Sequence, residues 1–361
     1  MLPTPRRPLA VQAEPAGRRA VRRILSVSLT VLTAVALVGL LPVTVLLGLL
    51  VGIARRRRFA LLRVTLAITW MLLTELYGIA VLAGIWWLTG WWRGRRPPHY
   101  DYWTHRLQGR WTGLNLAAFE RIYGIDLQVD GTDCLRDRPA ILLMRHTSMI
   151  DTLIPPALMI PRDDVRMRYV LKRELLLDPC LDIAGNRTPN LFVDRSARGL
   201  EAGAQLDALQ ALVADVGPNE ATVLFPEGTR ATPAKRARII EKLAAQGDAE
   251  LLEAARRLRH LLPLRLGGAM ALLQARPDAD LVLGAHHGFE GLAGFRQLLG
   301  GDAVGRRMTV RFWRIDAEER PTEPAALRTW LLARWEEVDR AVDALAGPLK
   351  NPSRTGPGVG D

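Results

Sequence analysis

The segment AILLMRHTSMIDTLIPPALMI, residues 140–160, contains the part of the chain that decides the fold. Its first five residues, Ala140–Met144, form a short uncharged apolar run, the pattern of a strand that is buried on both faces. His146 and Asp151 follow at the end of this run, and a second apolar stretch of helical length comes after them. A buried strand, a polar loop and a helix in this order are typical of an α/β domain.

The same alternation continues along the chain. Further short apolar runs occupy residues 170–171, 191–193, 222–225 and 281–284, and a helical stretch at 251–259 precedes the last of them. Residues 103–122 carry apolar side chains at every third or fourth position, which predicts an amphipathic helix that packs on the domain rather than lying in the membrane interface. The pattern predicts an α/β fold, a mixed sheet flanked by helices.

Two long apolar runs precede this domain. Residues 24–54 contain no charged side chain. Residues 64–92 contain one charged side chain, that of Glu75, and end in clustered tryptophans. Each run exceeds the roughly 18 residues that mark a membrane helix, and tryptophans favour the headgroup boundary. We therefore predict a disordered basic tail over 1–23, a two-helix N-terminal membrane anchor over 24–96, the α/β domain over 97–346 and a disordered tail over 347–361.

The topology of the anchor stays open at this point. A straight helix of 31 residues is about 46 Å long, whereas the hydrocarbon core is about 30 Å thick, so the first run needs a steep tilt, a break at Pro42 or partial insertion. If both helices span as a hairpin, one arginine cluster opposes the positive-inside tendency. Shallow insertion from one face would leave all the clusters on the same side of the membrane.

The distribution of charge argues against nucleic acid as a partner. The net charge is +12, and residues 1–100 carry all of this excess, with 14 Arg and two acidic residues. Residues 101–361 carry 35 basic and 35 acidic side chains. A basic N-terminal segment suits anionic lipid headgroups. The two cysteines predict neither a disulfide scaffold nor a zinc site, and the adjacent His286 and His287 would point apart on a strand, so we expect no metal.

The spacing of His146 and Asp151 suggests a general base. On a continuous helix, five residues advance about 500° and would separate the two side chains. In a loop with Thr147 or Ser148 as the N-cap, Asp151 can instead turn back toward His146. An aspartate bonded to one ring nitrogen fixes the tautomer and raises the basicity of the other nitrogen, as activation of a hydroxyl requires. The spacing alone is weak, since a capping histidine before a helix-start aspartate looks the same.

A second polar stretch, Phe225-Pro226-Glu227-Gly228-Thr229-Arg230, follows another apolar run. It places an arginine, a hydroxyl and a flexible glycine at the mouth of a strand. The guanidinium and the backbone N–H groups of such a loop are suited to binding an anion.

Together these stretches resemble the glycerolipid acyltransferases, the family that includes lysophosphatidic acid acyltransferase. The family carries Asn-His-x4-Asp, Phe-x-Asp-Arg, Phe-Pro-Glu-Gly-Thr-Arg and apolar-Pro motifs in this order. Their counterparts lie between about residues 137 and 270, at 146–151, 192–195, 225–230 and 262–265. Arg145 replaces the usual Asn of the first motif. Residues 172–175, Lys-Arg-Glu-Leu, resemble a further Lys-x-Glu-Leu segment of the family.

The resemblance implies an O-acyltransferase at the cytoplasmic face of a membrane. His146 would deprotonate the free hydroxyl of a lysophospholipid such as lysophosphatidic acid, with Asp151 orienting it. The acyl group would come directly from acyl-CoA or acyl carrier protein as co-substrate, without another cofactor and without an acyl-enzyme. The residues implied to bind the acceptor phosphate are Lys172, Arg195, Glu227, Gly228, Thr229 and Arg230.

Three rival readings remain. A catalytically silent lipid-binding membrane protein would keep the motif residues for structure, although the intact His146, Asp151 and Glu227 speak against it. A thioesterase would use water as the acceptor, which leaves the anion-binding cations unexplained. An acyltransferase could also act on a non-glycerolipid acceptor. Arg145 could mark such a difference, because it replaces the usual Asn and could weaken His146 as a base through its charge or contact an acidic group of the donor. The acceptor headgroup, the acyl-chain length and the oligomeric state are not predicted.

Overall fold

The computed structural model describes residues 14–55, 58–90, 98–194, 200–290, 292, 295–347 and 354–355. An eight-stranded mixed sheet in the order β4-β3-β5-β2-β6-β7-β1-β8 forms the centre of this described part. The strands are β1 Asp126–Asp130, β2 Ala140–Met144, β3 Arg166–Lys172, β4 Leu191–Val193, β5 Glu220–Leu224, β6 Asp280–His287, β7 Arg307–Ile315 and β8 Arg354–Thr355. Strands β2 to β6 run parallel to one another, and β7 is antiparallel to β6. The mixed α/β sheet that the sequence predicts is therefore confirmed.

Helices cover both faces of the sheet. They are α1 Ala16–Gly39, α2 Leu41–Arg55, α3 Ala60–Leu88, α4 Pro98–Tyr123, α5 Ile154–Asp163, α6 Pro179–Gly185, α7 Leu200–Val213, α8 Pro233–Gln246, α9 Ala249–Arg257, α10 Leu266–Ala275, α11 Phe295–Gly300 and α12 Pro324–Ala344. Because side chains alternate along a strand, Ile141 and Leu143 of β2 face the core formed with α7, α10 and α12. Leu142 and Met144 face the opposite core, which includes residues of α4 and α5.

The predicted amphipathic helix is α4, and it packs against α5 and α3 as expected. The apolar runs at 140–144 and 191–193 coincide with β2 and β4. The three other predicted strands are longer than their apolar runs, because each begins or ends in polar residues. Strands β1, β7 and β8 were not predicted from the sequence, and β8 lies inside the segment predicted as a disordered tail.

The first apolar run folds as two helices rather than one. Helix α1 ends at Gly39 and α2 begins at Leu41, directly before Pro42. Helix α1 also begins at Ala16, inside the segment predicted as a disordered tail. The reason is tertiary: Arg22 donates to the carbonyl of Leu176 at 2.6 Å, and Arg23 pairs with the buried carboxylate of Asp182 at 2.9 Å. Residues 1–13 of that predicted tail, and most of the predicted tail over 347–361, lie outside the described residues.

Helices α1 and α3 are long and apolar enough to cross a membrane, by length and composition. One face of α3 nevertheless packs along the sheet domain over most of its length. The contacts, in order along α3, are Arg63 to the carbonyl of Ile122, Thr74 to Asn115, Glu75 to the N–H of Cys180, and the carbonyl of Leu82 to Arg187. The anchor and the domain therefore form one packed structure along this face.

Candidate active site

The predicted functional residues meet at one edge of the sheet. The carboxyl ends of parallel strands lie at the same edge, where ligands of open α/β sheets bind. His146 follows β2, residues 225–230 follow β5, and Lys172 ends β3. The carbonyl of His146 accepts a hydrogen bond from Ala231 N at 2.8 Å, which ties the first of these segments to the loop after β5.

His146 and Asp151 are in direct contact. The distance between His146 Nδ1 and Asp151 Oδ1 is 2.9 Å. The loop between them is closed by Ser148, whose Oγ accepts from the backbone N–H groups of Ile150 and Asp151. This loop turns Asp151 back to the imidazole, as the sequence predicts. Because Nδ1 bonds Asp151, Nε2 is the ring nitrogen that is left to accept a proton.

Asp151 is fully buried and held in place on both oxygens. Its Oδ2 accepts from Thr147 N at 2.7 Å and from Ser148 N at 2.8 Å, while Oδ1 faces His146. Burial disfavours the charged form, but the hydrogen bond and the charge of His146 outweigh it, so the pKa of Asp151 lies below its ordinary value. Asp151 is therefore a fixed carboxylate at neutral pH.

Glu227 lies beneath the site and is 1% exposed. One carboxylate oxygen accepts from His146 N at 2.8 Å, and the other accepts from Leu262 N at 2.8 Å. Burial raises the pKa of Glu227 to about 8, although both N–H donors favour the carboxylate. The sequence predicts that Glu227 contacts the acceptor phosphate, whereas here both of its oxygens bond the backbone. It joins the loop after β2 to the segment before α10.

Helix α12 in turn fixes the segment that contains Leu262. The carboxylate of Asp339 accepts hydrogen bonds from three consecutive backbone N–H groups, those of residues 259, 260 and 261. The indole of Trp335 donates to the carbonyl of Leu262 at 3.0 Å. These two side chains thus position the Leu262 N–H that holds Glu227. No sequence pattern indicates this role, because Asp339 and Leu261 are 78 residues apart in the chain.

The loop after β5 gathers cations beside its glycine. Gly228 adopts a φ of +67°, and a Cβ there would lie 2.6 Å from Nε of Arg265, so the arginine crosses directly over the glycine. Lys235 donates to the hydroxyl of Thr229 at 2.9 Å and to the carbonyl of Arg230 at 3.1 Å. Lys235 and Arg265 were not among the predicted anion-binding residues. Arg265 is the last residue of the motif at 262–265, and Lys235 lies five residues after the motif at 225–230. These positions were the only indication in the sequence that the two cations belong to the site.

Of the remaining predicted cations, Lys172 lies at the end of β3, next to β4. Lys172 is half-exposed and pairs with Glu174 at 2.7 Å, so it forms a surface ion pair in this structure. The parallel register pairs Lys172 with Val193, which places residues 192–194 beside it. Arg195, the other predicted phosphate ligand, lies outside the described residues.

Arg145, which stands in place of the family's Asn, turns away from the base. Its side chain is 2% exposed and forms an ion pair with Glu290. It also donates to the carbonyls of His286 at 2.6 Å and His260 at 3.3 Å. The arginine contact holds the pKa of Glu290 at about 2 despite burial of that carboxyl. A contact of Arg145 with an acidic donor group, considered from the sequence, does not fit this buried position.

Neither cysteine is suited to covalent catalysis. Burial raises the pKa of Cys134 to about 11 and raises that of Cys180 further, so both remain thiols at neutral pH. Among the described residues, no group of three or more His, Cys, Asp or Glu side chains could hold a metal ion.

Comparisons with known proteins agree with the family resemblance. A sequence profile of the Acyltransferase family matches residues 126–281, which include all four motifs and part of the sheet. The chain is 26% identical over 247 residues to mouse 1-acyl-sn-glycerol-3-phosphate acyltransferase epsilon, a match that covers 65% of this chain and 66% of that protein, just under two thirds of its length.

Among solved structures, the chain is similar to the 1-acyl-sn-glycerophosphate (LPA) acyltransferase PlsC from Thermotoga maritima. The TM-score is 0.45 at 14% sequence identity, covering 77% of this chain and 98% of that one. The chain is therefore similar in sequence to proteins of the Acyltransferase family over residues 126–281.

Proposed function

We propose that this protein transfers a fatty acyl group from a thioester donor to the free hydroxyl of a lysophospholipid, of which lysophosphatidic acid is the first candidate. The observation that carries the proposal is the bond between His146 Nδ1 and the buried carboxylate of Asp151 at the carboxyl edge of the sheet. The mouse relative is named for acyl transfer to 1-acyl-sn-glycerol-3-phosphate, which supports this acceptor class.

The proposed reaction is a direct displacement. His146 Nε2 removes the proton from the acceptor hydroxyl while the oxygen attacks the thioester carbonyl. The tetrahedral intermediate then collapses, the C–S bond breaks, and the proton held by His146 passes to the leaving thiolate. The anionic Asp151 stabilises the imidazolium that exists between these two proton transfers. The thiol state of both cysteines agrees with a mechanism that has no acyl-enzyme.

The acceptor phosphate is proposed to bind beside the loop after β5. Arg230, Gly228 and Thr229 belong to this loop, and the ammonium of Lys235 and the guanidinium of Arg265 lie against it. Several cations around one loop form a favourable environment for a phosphate dianion. Lys172 and Arg195 remain proposed ligands from the β4 side. Glu227 is proposed to position His146 rather than to contact the phosphate, because both oxygens bond the backbone.

The apolar N-terminal helices support association with a membrane, and we propose that they insert from one face. The contacts from Arg63 to Leu82 hold roughly 29 Å of α3 against the domain. If α3 spanned the bilayer, the polar groups of α4 and α6 would enter the hydrocarbon with it at a high cost. Insertion parallel to the surface avoids this cost and leaves the arginine clusters on one side, which we propose is the cytoplasmic face.

Two exposed apolar side chains of the catalytic domain support this orientation. Met149, in the loop between the two catalytic residues, is 65% exposed, and Leu177 is 68% exposed and lines a groove with one face of α1. Contact of these side chains with lipid would bring the base to the level at which the glycerol hydroxyl of a lysophospholipid resides. A nitroxide attached at Met149→Cys should then be shielded from aqueous relaxants in liposomes, while one at Glu318→Cys, whose native side chain is 72% exposed, should not.

The activity is tested with the full-length protein in liposomes that contain labelled acyl-CoA and a panel of lysophospholipids. We expect a diacyl product that depends on the acceptor, together with equimolar free CoA, and a loss of about 10² to 10⁴ in rate for His146→Ala. A silent lipid-binding protein would bind the acceptor without forming product. A thioesterase would release free fatty acid at a rate that does not depend on the acceptor.

A further inference from the structure

A second histidine lies against the catalytic carboxylate. The parallel register of β2 and β6 pairs Met144 with Gly284, so two residues further along each chain His146 and His286 stand at the same level. The imidazole of His286 is fully buried, and its Nε2 lies 3.5 Å from Asp151 Oδ2. Asp151 therefore has a histidine on each side.

The hydrogen-bond partners of His286 define its tautomer. Its Nε2 lies 3.0 Å from the carbonyl of Arg145, and a carbonyl can only accept, so Nε2 carries the proton. Its Nδ1 is buried and has no hydrogen-bond partner among the described residues. Burial lowers the pKa of His286 to about 4, although Asp151 opposes this effect, so the ring is neutral at physiological pH. A neutral N–H thus donates to the carbonyl of Arg145, and Oδ2 of Asp151 lies 3.5 Å from the same nitrogen.

Arg145 and His286 also bond each other reciprocally. The guanidinium of Arg145 donates to the carbonyl of His286, while the ring of His286 donates to the carbonyl of Arg145. The ring packs edge-on against Phe289, with centroids 4.8 Å apart. These contacts leave the His286 side chain little freedom and keep its N–H beside Asp151.

We propose that His286 is a positioning residue for the acyl transfer, acting through Asp151. Its N–H stabilises the carboxylate without neutralising it and limits the movement of Asp151 away from His146. This inference rests on the proposed function, because it concerns the base of that reaction. The charged or titratable groups around the pair are Arg145, His146, Glu227 and Glu290.

The kinetic test compares His286→Met, which fills the space without a donor, with His286→Gln, which retains one. His287→Gln is the matched control, because the neighbouring side chain on the strand points the other way. We expect His286→Met to lower kcat by about 10-fold, because the Asp151 carboxylate loses the neighbouring N–H dipole, with the acceptor KM unchanged. His286→Gln should recover most of this loss.

The pH profile separates positioning from packing. Without the N–H, the less stabilised carboxylate of Asp151 would hold the proton of the protonated dyad more tightly. The acidic limb of kcat should therefore move to higher pH in His286→Met but not in His287→Gln. If the pH profile of His286→Met is the same as that of the wild type, the proposal is overturned. This holds when kcat is unchanged and also when kcat has fallen only in proportion to the fraction of protein that is folded. Absence of transfer by the wild-type protein would instead refute the proposed function.

A measurement on variants that retain His286 covers the case in which His286→Met does not fold. In ¹⁵N-histidine NMR spectra, His286 should show a protonated Nε2 whose resonance does not change between about pH 5 and 8. That resonance should shift in Asp151→Asn, whereas the His287 resonances should not. An unprotonated Nε2, or no response to Asp151→Asn, would refute the contact.

Discussion

Replacing Asp151 with asparagine should remove catalysis while leaving the loop folded. Asp151 Oδ2 accepts from Thr147 N and Ser148 N at 2.7 and 2.8 Å. The amide oxygen of an asparagine would take this position, because an NH2 group there would face two donors and lose two hydrogen bonds worth about 1 kcal/mol each. The NH2 group is then directed at His146 Nδ1, which must accept. The proton moves to Nε2, and the nitrogen that should take the hydroxyl proton is blocked.

The size of the loss follows from two contributions. The carboxylate–imidazolium hydrogen bond contributes about 1.5 to 3 kcal/mol, which is roughly 10- to 150-fold in rate. The wrong tautomer adds to this, and the same exchange in a serine-protease triad costs about 10⁴ in kcat. We therefore expect Asp151→Asn to lower kcat by about 10² to 10⁴, with both substrate KM values and the melting temperature near those of the wild type.

The assay is CoA release at saturating donor and acceptor, with thermal melting of each variant. Asp164→Asn is the matched control: it makes the same chemical change at a half-exposed residue with a φ of +51°, which asparagine tolerates. A kcat for Asp151→Asn near the wild-type value would refute the role of the dyad. A loss that appears only in KM or in the melting temperature would assign Asp151 to folding of the loop.

Three further predictions concern the acceptor, the buried acid and the anchor. Arg230→Lys should raise the acceptor KM and lower kcat/KM by roughly 10- to 150-fold with the donor KM unchanged, and an acceptor without phosphate should show no such penalty. The pKa of Glu227 is about 8 in the folded protein and near 4.3 in an unfolded chain. The melting temperature of the wild type should therefore fall relative to that of Glu227→Gln as the pH rises from about 5 to 8. Melting temperatures of the two proteins that change in parallel with pH would contradict this. Removal of residues 1–92 should release the protein from liposomes or cause aggregation, and a truncated protein that still pellets with liposomes at high salt would contradict the anchor.

Apolar runs were sufficient to locate the central strands, but not the strands held by charge. Strand β7 carries three arginines, at positions 307, 311 and 314, and β1 begins and ends with aspartates. In the parallel register, Arg307 pairs with Asp126 at 2.8 Å and Arg311 approaches Asp130 at 3.6 Å. Cross-strand ion pairs supply the partners of these residues. A pattern along one strand cannot show them, because the two strands are about 180 residues apart in sequence.

The site divides in the same way between local and distant determinants. The spacing of His146 and Asp151 predicts their contact, because a loop of five residues has few ways to close. The role of Glu227 is different, because the sequence gives a carboxylate but not its burial. At the surface of the site, that carboxylate would face a substrate and repel a phosphate. When buried, it can only satisfy backbone donors, and it then controls the position of the base.

Arg145 shows most directly what a motif omits. Next to the base in sequence, a cation in place of an uncharged Asn suggests altered catalysis or a different acceptor. Neighbouring residues at the end of a strand point to opposite sides, however, so Arg145 extends away from His146 toward Glu290 and the end of β6. Its charge is compensated there, and its main chain and side chain both engage His286. We therefore propose that the substitution acts through the support of Asp151 rather than through the charge it places next to His146.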